Sequence, residues 1–166
     1  VYSVATGETP EITGLGNENI EITGGGQGTN GLTVGNVNTA AAYTTGSLKA
    51  TVEAQNISQY AGITESGNEL ALDVSDGTVD AATLNNLRAR TTGVVTVSAT
   101  TINGAVSDIA ALYSAQTAGT VTGLDAETIG ISNTGTVAAA ELNVIDEING
   151  TAFSAATVTG LTGTAS

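Results

Sequence analysis

Thr78-Val79-Asp80-Ala81-Ala82-Thr83-Leu84-Asn85-Asn86-Leu87 returns 58 residues later as Thr136-Val137-Ala138-Ala139-Ala140-Glu141-Leu142-Asn143-Val144-Ile145. Thr, Val, Ala, Ala, Leu and Asn hold matching places, and Leu87 faces Ile145. The flanks extend the match: Ile63-Thr64 returns as Val121-Thr122, and Glu69 as Glu127. A partial third copy, Ile12-Thr13-Gly14-Leu15-Gly16-Asn17-Glu18, matches Ile63-Thr64-Glu65-Ser66-Gly67-Asn68-Glu69 at an offset of 51. Self-similarity at a regular spacing is the signature of an array in which no single copy can shelter its own apolar face.

A second pattern lies between these copies. Thr101-Ile102-Asn103-Gly104-Ala105-Val106-Ser107-Asp108-Ile109 leads to Tyr113-Ser114-Ala115, and its counterpart runs from Leu48 through Val52 and Ile57 to Tyr60-Ala61. Leu161-Thr162-Gly163-Thr164-Ala165 resembles the opening of another copy, so the last repeat reads as incomplete. Each copy reads as strand, turn and short helix. Val94-Val95-Thr96-Val97-Ser98 and Ile129-Gly130-Ile131-Ser132 are β-branched, which suits a pleated, half-buried surface. Val106, Ile109, Ala110 and Tyr113 fall on one helical face, and Leu142, Ile145 and Ile148 make a similar stripe. Thr78 and Thr136 are candidate N-caps, with Asp80 and Asp108 in the first turn. Asn103-Gly104 and Asn149-Gly150 read as turns.

Strands alternating with short helices in one direction favour parallel pairing through right-handed crossovers. The fold expected is a β-rich repeat protein, a β/α solenoid with parallel strands and short helices over residues 46–166. Residues 1–45 lack helical periodicity, and their Gly-Thr-Asn pattern suggests a β-rich cap or an irregular segment. The alternative is an all-β sandwich in which the short helices are loops.

Composition limits the function. Sixteen carboxylates against Lys49, Arg88 and Arg90 give a formal charge of −13. Three cations cannot neutralise a phosphate backbone, which argues against nucleic acid. The same imbalance opposes an anionic lipid surface, and no apolar run approaches the ~20 residues of a membrane helix. The chain has no His and no Cys, so the common proton shuttle and the thiolate nucleophile are missing. Glu141, Asp146 and Glu147 could be paired as a glycosidase acid and base, but no aromatic sugar platform accompanies them. No catalytic residue and no cofactor are expected.

The repeated elements Gly14-Leu15-Gly16-Asn17-Glu18, Val74-Ser75-Asp76-Gly77-Thr78-Val79, Ala81-Ala82-Thr83-Leu84-Asn85 and Ile102-Asn103-Gly104-Ala105-Val106-Ser107-Asp108 resemble repeats of giant cell-surface, RTX-type adhesins of marine cyanobacteria and other aquatic bacteria. Ala139-Ala140-Glu141-Leu142-Asn143-Val144-Ile145-Asp146 is similar to a repeat of phage tail fibres, with Glu147 where that pattern has Gly. Both resemblances imply an elongated structural element, extracellular or at a cell surface in the first case and on a virion in the second. Self-association, head-to-tail or lateral, follows from open strand edges at the ends of such an array.

RTX-type repeats bind calcium, and two places bear on that. Gly25-Gly26-Gln27-Gly28-Thr29-Asn30-Gly31-Leu32-Thr33 is similar to the RTX nonapeptide, with Asn30 in place of the liganding Asp. Asp73, Asp76 and Asp80 cluster at one strand–turn–helix junction, where carboxylates and turn carbonyls are the oxygens Ca2+ takes. Helix capping and solubility explain the same three carboxylates. Glu18, Glu69 and Glu127 occupy one repeat position and would line up as a solvated row in a stack. Tyr60 and Tyr113, also equivalent, would pack helices against a sheet. Asn56-Ile57-Ser58 and Asn149-Gly150-Thr151 match the glycosylation sequon.

Overall fold

The computed structural model describes residues 15–23, 31–150 and 153–163. Among the described residues, ten short strands are interspersed with four α-helices and one 3-10 helix. In chain order they are β1 (Ile20–Ile22), α1 (Val34–Ala41), β2 (Leu48–Thr51), a 3-10 helix (Ile57–Gly62), β3 (Glu69–Val74), β4 (Thr78–Asp80), α2 (Ala81–Arg88), β5 (Val95–Val97), β6 (Thr101–Gly104), α3 (Val106–Thr117), β7 (Val121–Thr122), β8 (Thr128–Ile131), β9 (Gly135–Ala138), α4 (Ala139–Asn149) and β10 (Val158–Thr162). The protein is mixed α/β, and the all-β sandwich is ruled out by its four α-helices. They form because their apolar residues recur at helical spacing. Ala81, Leu84 and Leu87 of α2 are buried, as are Val106, Ile109, Ala110 and Tyr113 of α3.

Every strand pairing among the described residues is parallel. One sheet has the order β1-β2-β3-β5-β7, a second β4-β6-β8, and β9 pairs with β10. The register places like on like. Leu72 lies opposite Val95, which lies opposite Val121. Val79, Ile102 and Ile129 line up in the second sheet. All six are buried, and burying each aliphatic side chain contributes ~1.5–3 kcal/mol relative to leaving it in water. The alternate positions face outward, as the two-residue period of a strand requires: Thr78, Thr101 and Thr128 share one outer row.

Helices touch their predecessors and successors: α1 meets the 3-10 helix, which meets α2, then α3, then α4. Their first residues, Val34, Ile57, Ala81, Val106 and Ala139, are 23, 24, 25 and 33 residues apart. The 58-residue repeat of the sequence therefore spans two units, not one. The last interval is longer because β9 is inserted between β8 and α4, with no counterpart in the earlier units.

This insertion changes the meaning of the sequence match. The two copies share local structure, since Thr78-Val79 and Thr136-Val137 are each extended and each lead into a helix, at Ala81 and Ala139. Their strands, β4 and β9, nevertheless belong to different sheets.

Other expectations change as well. The segment taken as β-rich or irregular contains α1, whose Val37 and Ala41 are buried and whose N-terminus is capped by Thr33, its side chain accepting from the Asn36 N–H at 3.2 Å. Asn103-Gly104 lies inside β6 rather than in a turn. Asn149-Gly150 does end a helix: Gly150 takes the left-handed conformation, φ 64°, at the C-cap of α4, where a Cβ would be strained.

Candidate functional site

The carboxylates suggested for calcium have separate duties. Asp80 is the N-cap of α2, with Oδ1 accepting from the Thr83 N–H and from the Thr83 hydroxyl, both at 2.9 Å. Thr78, the expected cap, lies two residues earlier in β4. Asp76 reaches back to the preceding unit, where Oδ2 accepts from the Ile57 N–H at 2.6 Å and so caps the 3-10 helix. Asn133 does the same for α3, accepting from the Val106 N–H at 2.6 Å. A helix leaves its first N–H groups without intrahelical partners, and here the following unit supplies an acceptor. Asp73 lies in β3, where its backbone N–H and carbonyl both meet the Tyr60 hydroxyl. Among the described residues, no group of three or more His, Cys, Asp or Glu side chains converges as a metal donor set. Asn30 and residues 25–30 of the nonapeptide lie outside the described residues.

The two equivalent tyrosines are fully buried. The Tyr60 hydroxyl bridges units, donating toward the Asp73 carbonyl at 2.6 Å and the Glu53 carbonyl at 3.1 Å and accepting from the Asp73 N–H at 3.0 Å. Tyr113 anchors a buried polar cluster that sequence reasoning missed. Its hydroxyl lies 2.9 Å from Glu127 Oε2 and 3.1 Å from Asn149 Oδ1. Glu127 Oε1 also accepts from the Asp125 N–H at 2.9 Å. Burial, then the hydrogen bond to Glu127 and its negative charge, push the Tyr113 phenol far above its ordinary value. Burial raises the Tyr60 phenol in the same direction.

Three elements build this cluster: α3 supplies Tyr113, the segment before β8 supplies Glu127, and the end of α4 supplies Asn149. Their separations of 14 and 36 residues follow no period of the sequence. The sequence repeat pairs Glu127 with Glu69, but the two do not stack. Glu69 is exposed at the start of β3 in the first sheet, whereas Glu127 is 5% exposed and precedes β8 in the second. The Asn149 sequon is correspondingly shielded, because its side chain is fully buried.

The charged row that the register does create is Glu21–Lys49–Glu69 across β1, β2 and β3. Lys49 Nζ lies 3.6 Å from Glu21 and 3.4 Å from Glu69, with all three side chains more than half exposed. The sequence gives no hint of this row, because its offsets of 28 and 20 match no repeat. Exposed pairs of this kind add little stability.

Glu141, Asp146 and Glu147 all sit on α4, with Asp146 and Glu147 exposed. An open cleft of about 360 Å³ is lined by Leu142, Ala155, Val158, Thr159, Gly160 and Leu161. Its lining has no titratable side chain and carries one side-chain hydroxyl, that of Thr159. No helix among the described residues is long and apolar enough to cross a membrane. Comparison with protein families, with curated proteins and with solved structures gave no match.

Proposed function

We propose that this chain is a non-catalytic structural segment of an extracellular assembly, a surface adhesin, S-layer or filament, built as a β/α solenoid. One observation supports it above the others: the parallel register in which Leu72, Val95 and Val121, and Val79, Ile102 and Ile129, stand in unbroken inner rows. A chain that advances by one strand spacing per unit is a spacer by construction, since its length scales with unit number. Capping across units, by Asp76 and Asn133, adds to this reading because it ties each unit to the next. The buried polar groups serve the same end, with their donors and acceptors turned inward. Placement outside the cell rests on the resemblance of the repeats, and a surface rich in Thr, Ser, Gly and Asn suits it.

Deleting Leu72–Val94 tests the reading, because Leu72 and Val95 are register partners and the cut removes one whole unit. The shortened protein folds, and small-angle scattering reports a particle shorter by one strand spacing, ~4.8 Å. Loss of cooperative folding, or an unchanged maximum dimension, would reject the solenoid.

A further inference from the structure

We infer that the seam between α2 and α3 is a binding site for one water molecule, which bridges Arg88 Nε and Asn85 Oδ1 and ties two successive units together.

Three side-chain atoms among the described residues are sealed from solvent without a hydrogen-bond partner in the protein: Gln55 Nε2, Asn85 Oδ1 and Arg88 Nε. The last two stand three positions apart on α2, and residues at that spacing are neighbours on one helix face. They are complementary, since Nε can only donate and Oδ1 can only accept. Gln55 lies elsewhere, bridged to Val74 at the end of β3, and its lone donor has no such mate. Native proteins satisfy nearly all buried polar groups, with ordered water where no side chain reaches. Two hydrogen bonds of ~2.9 Å laid end to end span the ~5–6 Å between Cβ atoms one helical turn apart.

The chemistry of the pair selects the occupant. Asn85 Nδ2 donates to the Asp108 carbonyl of α3 at 2.9 Å. That bond fixes the amide, because turning it would set two oxygens against each other, and so Oδ1 is the atom presented to the seam. An anion would suit Arg88 but would face the Asn85 lone pairs and the carbonyl end of α2, whose last turn Arg88 occupies. A metal cation would suit Oδ1 but would face the guanidinium. No carboxylate among the described residues forms an ion pair with Arg88, so a direct partner does not claim it. The occupant has to accept from one atom and donate to the other while carrying no charge. Water does both, and it is small enough for a seam where α2 and α3 pack side by side. The resulting chain of hydrogen bonds runs from Asp108 of α3 through Asn85 and the water to Arg88 of α2.

Nuclear magnetic resonance on the whole 15N-labelled chain tests the site. Arg88 and Arg90 are the only arginines, so two Nε–H signals appear, and Arg90→Lys assigns them. At mildly acidic pH, where guanidinium protons exchange slowly, the Arg88 signal should show cross-relaxation with a water that stays bound for longer than the protein takes to tumble. Asn85→Ala should abolish that cross-peak, and Asn86→Ala, an exposed neighbour, should leave it unchanged. Adding chloride should not move the Arg88 signal. A crystal structure of the parent, which needs no variant, should place a water within hydrogen-bond distance of both atoms. A direct bond from Arg88 Nε to Asn85 Oδ1, no long-lived water at Arg88, a signal that titrates with chloride, or an undiminished cross-peak in Asn85→Ala would each overturn the inference.

Discussion

Tyr113→Phe removes one oxygen from the middle of the molecule and leaves the ring's shape intact. The ring is fully buried, and its hydroxyl lies 2.9 Å from the Glu127 carboxylate and 3.1 Å from Asn149. Glu127, 5% exposed, keeps the Asp125 N–H on its other oxygen. The packing term is close to zero, so the cost is that of a hydrogen bond to a charged group in a dry site, ~2–3 kcal/mol. For a chain of this size that lowers Tm by ~4–12 °C. Thermal melts followed by circular dichroism measure it, with Tyr43→Phe as the control. Tyr43 is only half-buried, and such a substitution stays within ~0.5 kcal/mol. If Tyr113→Phe melts no lower than Tyr43→Phe, the buried cluster is not holding α3, α4 and the segment before β8 together, and the reasoning fails.

The same phenols set an alkaline limit. Below pH ~10 both folded and unfolded chains keep their tyrosine protons, and stability is flat with respect to them. Above it the unfolded chain releases protons that Tyr60 and Tyr113 retain, because burial raises both phenols. Stability then falls by up to ~1.4 kcal/mol per pH unit for each, and denaturant titrations from pH 8 to 11.5 show a shallower slope in Tyr113→Phe than in the parent. At the α2 cap, Asp80→Asn retains stability while Asp80→Ala loses ~1 kcal/mol, because the capping oxygen and not the charge does the work. Melts with and without excess Ca2+ test the calcium expectation: with Asp76 and Asp80 held in caps no shift is expected, and a rise in Tm that disappears in Asp76→Asn would place a site there.

Local structure was readable where neighbours in sequence are neighbours in space. The 3.6-residue spacing of Val106, Ile109, Ala110 and Tyr113 gave α3 directly, and the β-branched runs gave β5 and β8. Helix α1 was hidden, because Val34, Val37, Ala40 and Ala41 are small apolar residues diluted by Gly35, Asn36 and Asn38. The true period was also hidden. Successive units differ in length and share little beyond a strand, a turn and an apolar helix face, so similarity is visible only over two units, at 58 residues, and that match puts Glu69 and Glu127 in one column. An inserted strand of four residues, β9, is enough to shift that alignment. The Tyr113–Glu127–Asn149 cluster was illegible for a deeper reason: buried polar groups are matched by distance across packed elements, and no local rule of spacing encodes that. Asp76 shows the converse. Its carboxylate caps the 3-10 helix of the preceding unit through the Ile57 N–H, a contact between residues far apart in sequence that only the fold reveals.

The central claim is that consecutive units lie in register, one strand spacing apart. The chain has no cysteine, so pairs introduced on the outer row of the second sheet report the register without interference. Thr78 and Thr101 are direct partners, as are Thr101 and Thr128. Neighbouring parallel strands are ~4.8 Å apart, within disulfide reach, whereas two spacings are not. Mild oxidation should therefore close Thr78→Cys with Thr101→Cys, and Thr101→Cys with Thr128→Cys, but leave Thr78→Cys with Thr128→Cys reduced. Efficient closure of that last pair, or failure of both adjacent pairs, would contradict the stacking on which the whole account depends.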